Sequence, residues 1–126
     1  MNLSDYSDFE AVLSKAKDYY GEDVILKKST RINKKYMIYN PITNKFVHFG
    51  QMGYLDYTKY IKLFNQEIAN EHRRRYLRRA YFNKGDWKTN RYSAHYLSML
   101  LLWQYIDGYY KYQLYNQDNP LFHGLS

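Results

Sequence analysis

Five arginines fall at 73, 74, 75, 78 and 79, and Lys84, Lys88 and Arg91 follow them. A guanidinium is planar, permanently charged and rich in N–H donors, which suits it to phosphate diesters. On a helix Arg74, Arg75, Arg78 and Arg79 share one face, so this stretch could lie along a phosphate backbone. An acidic patch on a protein neighbour would satisfy the same face, and so would water or the acids of an N-terminal helix. Lys34 and Lys35 open a second basic stretch in which lysines interleave with Tyr36, Tyr39, Phe46 and Phe49. Such a strand resembles a platform on which bases stack, although alternating aromatics more often form one wall of a core.

Other chemistries find less support. His48, His72, His95 and His123 are far apart in the chain, with no paired spacing and no cysteine to complete a metal set. Carboxylates for a two-metal nuclease would have to come from Asp56, Glu67, Glu71 or Asp86, which show no recognisable spacing. A tyrosine could attack a phosphodiester with arginine helpers, but with 17 tyrosines a Tyr near an Arg is expected by chance. Gly50-Gln51-Met52-Gly53 lacks the spacing and the lysine of a phosphate loop. No catalytic residue, cofactor or metal is therefore expected.

The elements that must position these side chains can be read in order. Ser7-Asp8-Phe9-Glu10 has the form of a capping box, and Phe9, Val12, Leu13 and Ala16 recur at helical spacing. This predicts a helix over about 8–20, stopped by Gly21. Val24-Ile25-Leu26, Lys35–Tyr39 and Lys45–Phe49 read as strands. Between the last two, Asn40-Pro41-Ile42-Thr43-Asn44 makes a five-residue hairpin loop, and Gly50 and Gly53 end the sheet region. Tyr57, Ile61, Phe64 and Ile68 then form one helical stripe. Extending that wheel hands the stripe to arginines, which demands a kink, a break near Asn70–His72, or a helix projecting beyond the core. Within 71–82, Tyr76, Leu77, Ala80 and Tyr81 face away from the arginines. After a turn at Asn83–Asp86, Asn90 or Ser93 can cap a last helix over 93–107, apolar on nearly every face and hence buried.

The whole chain has 126 residues, 19 Lys+Arg against 12 Asp+Glu, and no cysteine. That length suits one domain with its own core, and the lack of cysteine excludes disulfides and thiolate chemistry. No apolar run reaches the ~18–20 residues of a membrane span, and the acidic N-terminus does not read as a secretory leader. Charge is blocked: residues 1–23 carry −4, 24–45 carry +6, 71–91 carry +6, and the remainder is close to neutral. Tyrosine, with an apolar ring and a hydroxyl that wants a partner, suits interfaces and half-wet cores.

Lys35-Tyr36-Met37-Ile38-Tyr39, Val47-His48-Phe49-Gly50, Gly53-Tyr54-Leu55-Asp56-Tyr57-Thr58, the basic run into Tyr76-Leu77-Arg78-Arg79, Trp87, Ser93-Ala94 and Leu100-Leu101-Leu102-Trp103 follow in that order. The series resembles a family of small basic proteins of unknown function from large double-stranded DNA viruses of algae and protists, and from some phages. The resemblance covers about residues 34–103. It departs at 59–72, where this chain has a longer amphipathic stretch. It implies a viral context and transfers no active site.

The expectation is thus a single α+β domain over 1–126. A small antiparallel hairpin sheet (24–50) packs against a buried C-terminal helix (93–107), with an N-terminal helix (1–23), an Arg-rich arm (57–82) and an aromatic tail (108–126). Expected polyanion contacts are Lys34, Lys35, Arg73, Arg74, Arg75, Arg78, Arg79, Lys84, Lys88 and Arg91. Expected protein contacts are Tyr109, Tyr110, Tyr112, Tyr115 and Phe122. The preferred function is a non-enzymatic structural component of a DNA virus particle, a minor capsid, core or cement-like protein bound to other virion proteins. It would be oligomeric or assembly-bound, free of membrane, and located in the virion or in host cytoplasm or nucleus during assembly, with DNA contact left open. The alternative is a dedicated nucleic-acid-binding protein, and a distant third is a phosphodiester-processing enzyme.

Overall fold

Asp8, rather than Ser7, opens the first helix. The structure is a computed structural model and describes residues 2–106. Helix α1 (Phe9–Tyr20) follows a short 3-10 turn at Leu3–Asp5. The Asp8 carboxylate accepts the Ala11 amide at 3.4 Å. The expected Ser7–Glu10 capping box does not form, because the buried Ser7 hydroxyl donates to Asp56 instead. Gly21 closes the helix at φ +103°, its amide donating to the Lys17 carbonyl at 2.9 Å.

Three antiparallel strands, β1 (Leu26–Lys28), β2 (Lys34–Asn40) and β3 (Lys45–Gln51), lie in the order β1-β2-β3. β1 starts at the last residue of the Val24–Leu26 run, where Leu26 pairs with Ile38. Across the hairpin Tyr36 faces Phe49 and Asn40 faces Lys45. Because Asn40 is still paired, the loop is 41–44, one residue shorter than expected. The Asn40 side chain accepts the Ile42 amide at 2.9 Å, and Asn44 takes the left-handed φ of 58°. Tyr36, Ile38 and Phe49 are fully buried, with Phe9 packed on Tyr36. Tyr36 and Phe49 are thus a core wall, whereas Tyr39 pairs with Phe46 on the other face of the sheet, where Phe46 is exposed.

The following helical stretch divides into α2 (Tyr57–Leu63) and α3 (Gln66–Tyr81), parted at Phe64–Asn65 rather than near Asn70–His72. The Asn65 side chain caps α3 by accepting the Ile68 amide at 2.8 Å. Breaking there ends the stripe that the sequence suggested: Tyr57 is buried and Ile61 half-buried, but Phe64 and Ile68 are exposed. Ala69, Leu77 and Ala80 provide the buried face of α3.

Ser93 caps α4 (Ala94–Leu97), its hydroxyl accepting the Tyr96 amide at 3.1 Å. The helix widens into a π-helical segment at Ser98–Leu102, and Met99 to Trp103 are all buried. It ends short of 107. Gln104 takes φ 51°, and the Tyr105 amide turns back to the Met99 carbonyl at 2.8 Å. This segment packs on β3 and α1. Gly50, expected to end the sheet, lies inside β3 at φ +80°. A Cβ there would sit 2.8 Å from Leu102 Cδ1. Tyrosine hydroxyls stitch the half-wet side of the core. Tyr20 donates to the Arg91 carbonyl at 2.5 Å, and Tyr96 donates to Tyr19 at 2.9 Å. No helix among the described residues is long and apolar enough to cross a membrane.

Candidate anion-binding cleft

Where β2 begins and β3 ends, α3 and the C-terminal helix close around an open cleft of about 630 Å³. The sheet contributes Lys34, Lys35, Gly50 and Gln51, and the loop after it contributes Tyr54 and Leu55. From α3 come His72, Arg75, Tyr76 and Arg79, residues three and four apart and hence one continuous helical stripe. The opposite wall is Ala94, His95, Ser98, Leu102 and Trp103. The two basic blocks of the sequence therefore meet across one concavity. No Asp or Glu lines it among the described residues.

The aromatic walls are largely prearranged. Tyr60 stacks on His72 at 4.0 Å between ring centroids and 11° between planes, and Tyr76 stacks on Trp103 at 4.7 Å. Burial pushes the Tyr76 phenol up to about 12, so it stays a neutral hydroxyl. The His95 Nε2–H donates to the Ala80 carbonyl at 2.8 Å, fixing the ring against α3.

The expected basic site residues have divergent roles. Lys34 is half-buried on the cleft wall, and neither Lys34 nor Arg79 has an ion pair among the described residues. Lys35 departs from expectation: its side chain is 3% exposed and its Nζ lies 3.4 Å from Asp56 Oδ2. Asp56 also receives the Ser7 hydroxyl, which in turn accepts from Tyr36 Oη at 2.7 Å. Burial raises the Asp56 carboxyl and lowers the Lys35 ammonium, each opposed by attraction to the other. Lys35 is thus committed to the core and is not a surface contact.

Arg73 is also turned inward, with Nε donating to the Trp103 carbonyl and Nη2 to the Gln104 carbonyl. Arg74 forms a two-point contact with Glu71, and Arg75 Nε reaches the same carboxylate at 3.0 Å. The Arg74 hydrogen bond holds the Glu71 carboxyl below its usual range against the opposing effect of burial. Arg78 and Lys84 are exposed and do not line the cleft. The Lys88 ammonium sits 4.5 Å from the Tyr81 ring centroid, and the Arg91 guanidinium 4.6 Å from that of Tyr96. Tyr109, Tyr110, Tyr112, Tyr115 and Phe122 lie outside the described residues, as does His123.

Among the described residues no cluster of His, Asp or Glu could hold a metal. The candidate nuclease carboxylates are dispersed: Asp56 is buried, Glu71 is engaged by two arginines, and Asp86 accepts from Asn90 at 3.0 Å. The sequence reading missed Tyr54, Tyr60, His72, Tyr76, His95 and Trp103 as cleft residues. The spacing of His72, Arg75, Tyr76 and Arg79 was a usable signal for one wall. Nothing local in the sequence announces the convergence of that stripe with Lys34.

Residues 24–60 match a family of unknown function (DUF5754). The matched stretch carries the sheet, the loop with Tyr54, the Lys35–Asp56 pair and the first turn of α2. Arg75, Arg79 and His95 lie beyond it. Searches of curated proteins and of solved structures gave no match.

Proposed function

We propose that the protein is a non-catalytic nucleic-acid-binding module whose cleft receives phosphate groups. The observation that carries this reading is that Lys34, Arg75 and Arg79 line one cleft with no Asp or Glu in its lining among the described residues, although the two basic blocks are far apart in the chain. Cations that line one cleft reinforce one another's potential, and a concave site focuses it. A titration with DNA at two salt concentrations tests the reading. Each of Lys34, Arg75 and Arg79 replaced by alanine should lower the salt slope by about one unit, without regard to base sequence. Unchanged affinity and slope in the triple variant would sink it.

A second reading places the chain in a DNA virus particle, in contact with other virion proteins. It is supported by the apolar side chains that the fold leaves on its surface, including Leu63, Phe64 and Ile68 around the α2–α3 break and Phe82 at the end of α3. Contacts of that kind resist salt, whereas phosphate contacts do not. Mass spectrometry of purified particles, asking whether this chain is present and how abundant, tests it directly.

A further inference from the structure

Tyr54 stands at the cleft in the loop between β3 and α2, with 66% of its surface exposed. Its neighbours Tyr60 and Tyr76 are already stacked, on His72 and Trp103. Tyr54 makes no ring contact among the described residues, so its ring faces stay available beside Lys34, Arg75 and Arg79.

The shape matters as much as the charge. A duplex is convex, with a major groove about 12 Å wide, and it keeps its bases stacked inside. Protein surfaces that follow a duplex present cations on a ridge or a helix entering a groove. Here Lys34 from the sheet and Arg75 and Arg79 from α3 line one concavity of about 630 Å³, within the size range of sites that enclose small ligands. A single strand fits into such a concavity, and its unstacked bases can use any exposed aromatic ring.

We infer that the cleft takes a segment of single-stranded polynucleotide, with phosphate between Lys34 and the Arg75–Arg79 stripe and one base stacked on Tyr54. This deepens the proposed function and rests on it. The stacking is sequence-tolerant, because every base has a π face, so the chemistry is common to single-stranded DNA and RNA. The cations supply the salt-dependent part of affinity and Tyr54 the part that salt leaves in place.

The test measures fluorescence anisotropy of labelled oligothymidylate, oligouridylate, a DNA duplex of equal length and inorganic polyphosphate. Each probe is titrated with the full chain and with Tyr54→Ala, Tyr54→Phe and Arg75→Ala/Arg79→Ala, the melting temperature of each variant being checked first. Single strands should bind roughly tenfold or more tighter than the duplex. Tyr54→Ala should lower single-strand affinity by about 5- to 100-fold, leave duplex and polyphosphate unchanged, and be rescued by Tyr54→Phe. A matched oligodeoxyuridylate, which differs from oligouridylate only in lacking the 2′-hydroxyl, then assigns DNA or RNA as the source. Equal affinity for duplex and single strand, or an inert Tyr54→Ala, would overturn the single-strand inference. If Arg75→Ala/Arg79→Ala still weakened every probe, the phosphate-binding reading would survive that result. No loss in the arginine variant would overturn both.

Discussion

Arg73 reaches from α3 to the far end of the C-terminal helix, where Nε donates to the Trp103 carbonyl at 2.9 Å and Nη2 to the Gln104 carbonyl at 2.5 Å. Carbonyls at a helix end have no partner within the helix, and the macrodipole makes that end negative. A cation with two convergent donors answers both needs. The same guanidinium lies over the Tyr57 ring at 5.2 Å. Of the arginines that a charge map groups together, this one belongs to the core's architecture.

Arg73→Ala should therefore lower stability by about 2 kcal/mol, in line with hydrogen bonds made by a charged donor. Arg79→Ala, at an exposed position, should stay within about 0.5 kcal/mol of the parent. Urea denaturation of the two variants checks the contrast, and equal effects would contradict the assignment of Arg73.

Gly50→Ala should cost about 1–3 kcal/mol, because the new methyl group meets Leu102 and the residue must hold a positive φ. In a Leu102→Ala background the steric part should shrink, so the two losses should not add. Additive losses in the double variant would show that Gly50 and Leu102 do not press on one another.

Asp56→Asn should cost about 3–5 kcal/mol, since it strands the buried Lys35 ammonium without its counter-charge. Adding Lys35→Met should recover most of that loss, while the asparagine carbonyl still accepts from Ser7. Thermal denaturation of the single and double variants reads this out. A double variant no more stable than Asp56→Asn would contradict the pairing.

Stability should fall with acid in two stages. Burial first, then Arg31 and Lys34, hold the His48 imidazole below its ordinary value. The unfolded chain thus takes up this proton more readily than the fold does. Its contribution is complete above the ordinary imidazole value of about 6.5 and declines as pH falls through the lowered one. Glu71 acts further down: its stabilising contribution is present above the ordinary glutamate value and is lost as pH falls through the lowered one. That second stage should be small, because the Glu71 side chain is 44% exposed. Denaturation midpoints across the pH range should lack the first stage in His48→Gln and show a reduced second stage in Glu71→Gln, where Asp8, also held low by its hydrogen bond with Lys62, still contributes.

Local signals in the sequence carried far. The apolar run Leu100–Trp103 marks a buried helix without any partner being known, and Asn40-Pro41 marks a hairpin. Periodicity misled where a helix stops and restarts: Asn65 caps α3 through its own side chain, so the wheel resets before Ile68 reaches the core. Ser7 had the right spacing for a cap but was claimed by Asp56, 49 residues away. The cleft was half legible. Its cations stood out as charge blocks, but which of them face one another depends on the placing of α3 against β2, which no window of sequence contains. The same blindness hid the inward turn of Arg73 and the burial of Lys35.

The π-helical segment at Ser98–Leu102 sets a schedule for the newborn chain. Sheet and α1 are translated early, yet the side chains that cover β3 and complete the cleft arrive only with residues up to Trp103. At ~5–20 residues per second the ribosome needs roughly 3–10 s to travel from Gln51 to Trp103. During that interval β3 has no lid from the C-terminal helix, and Arg73 has no carbonyls to hold. Nascent chains stalled before Ala94 should consequently expose apolar strand surface to chaperones and proteases, and chains stalled well beyond Tyr105 should not.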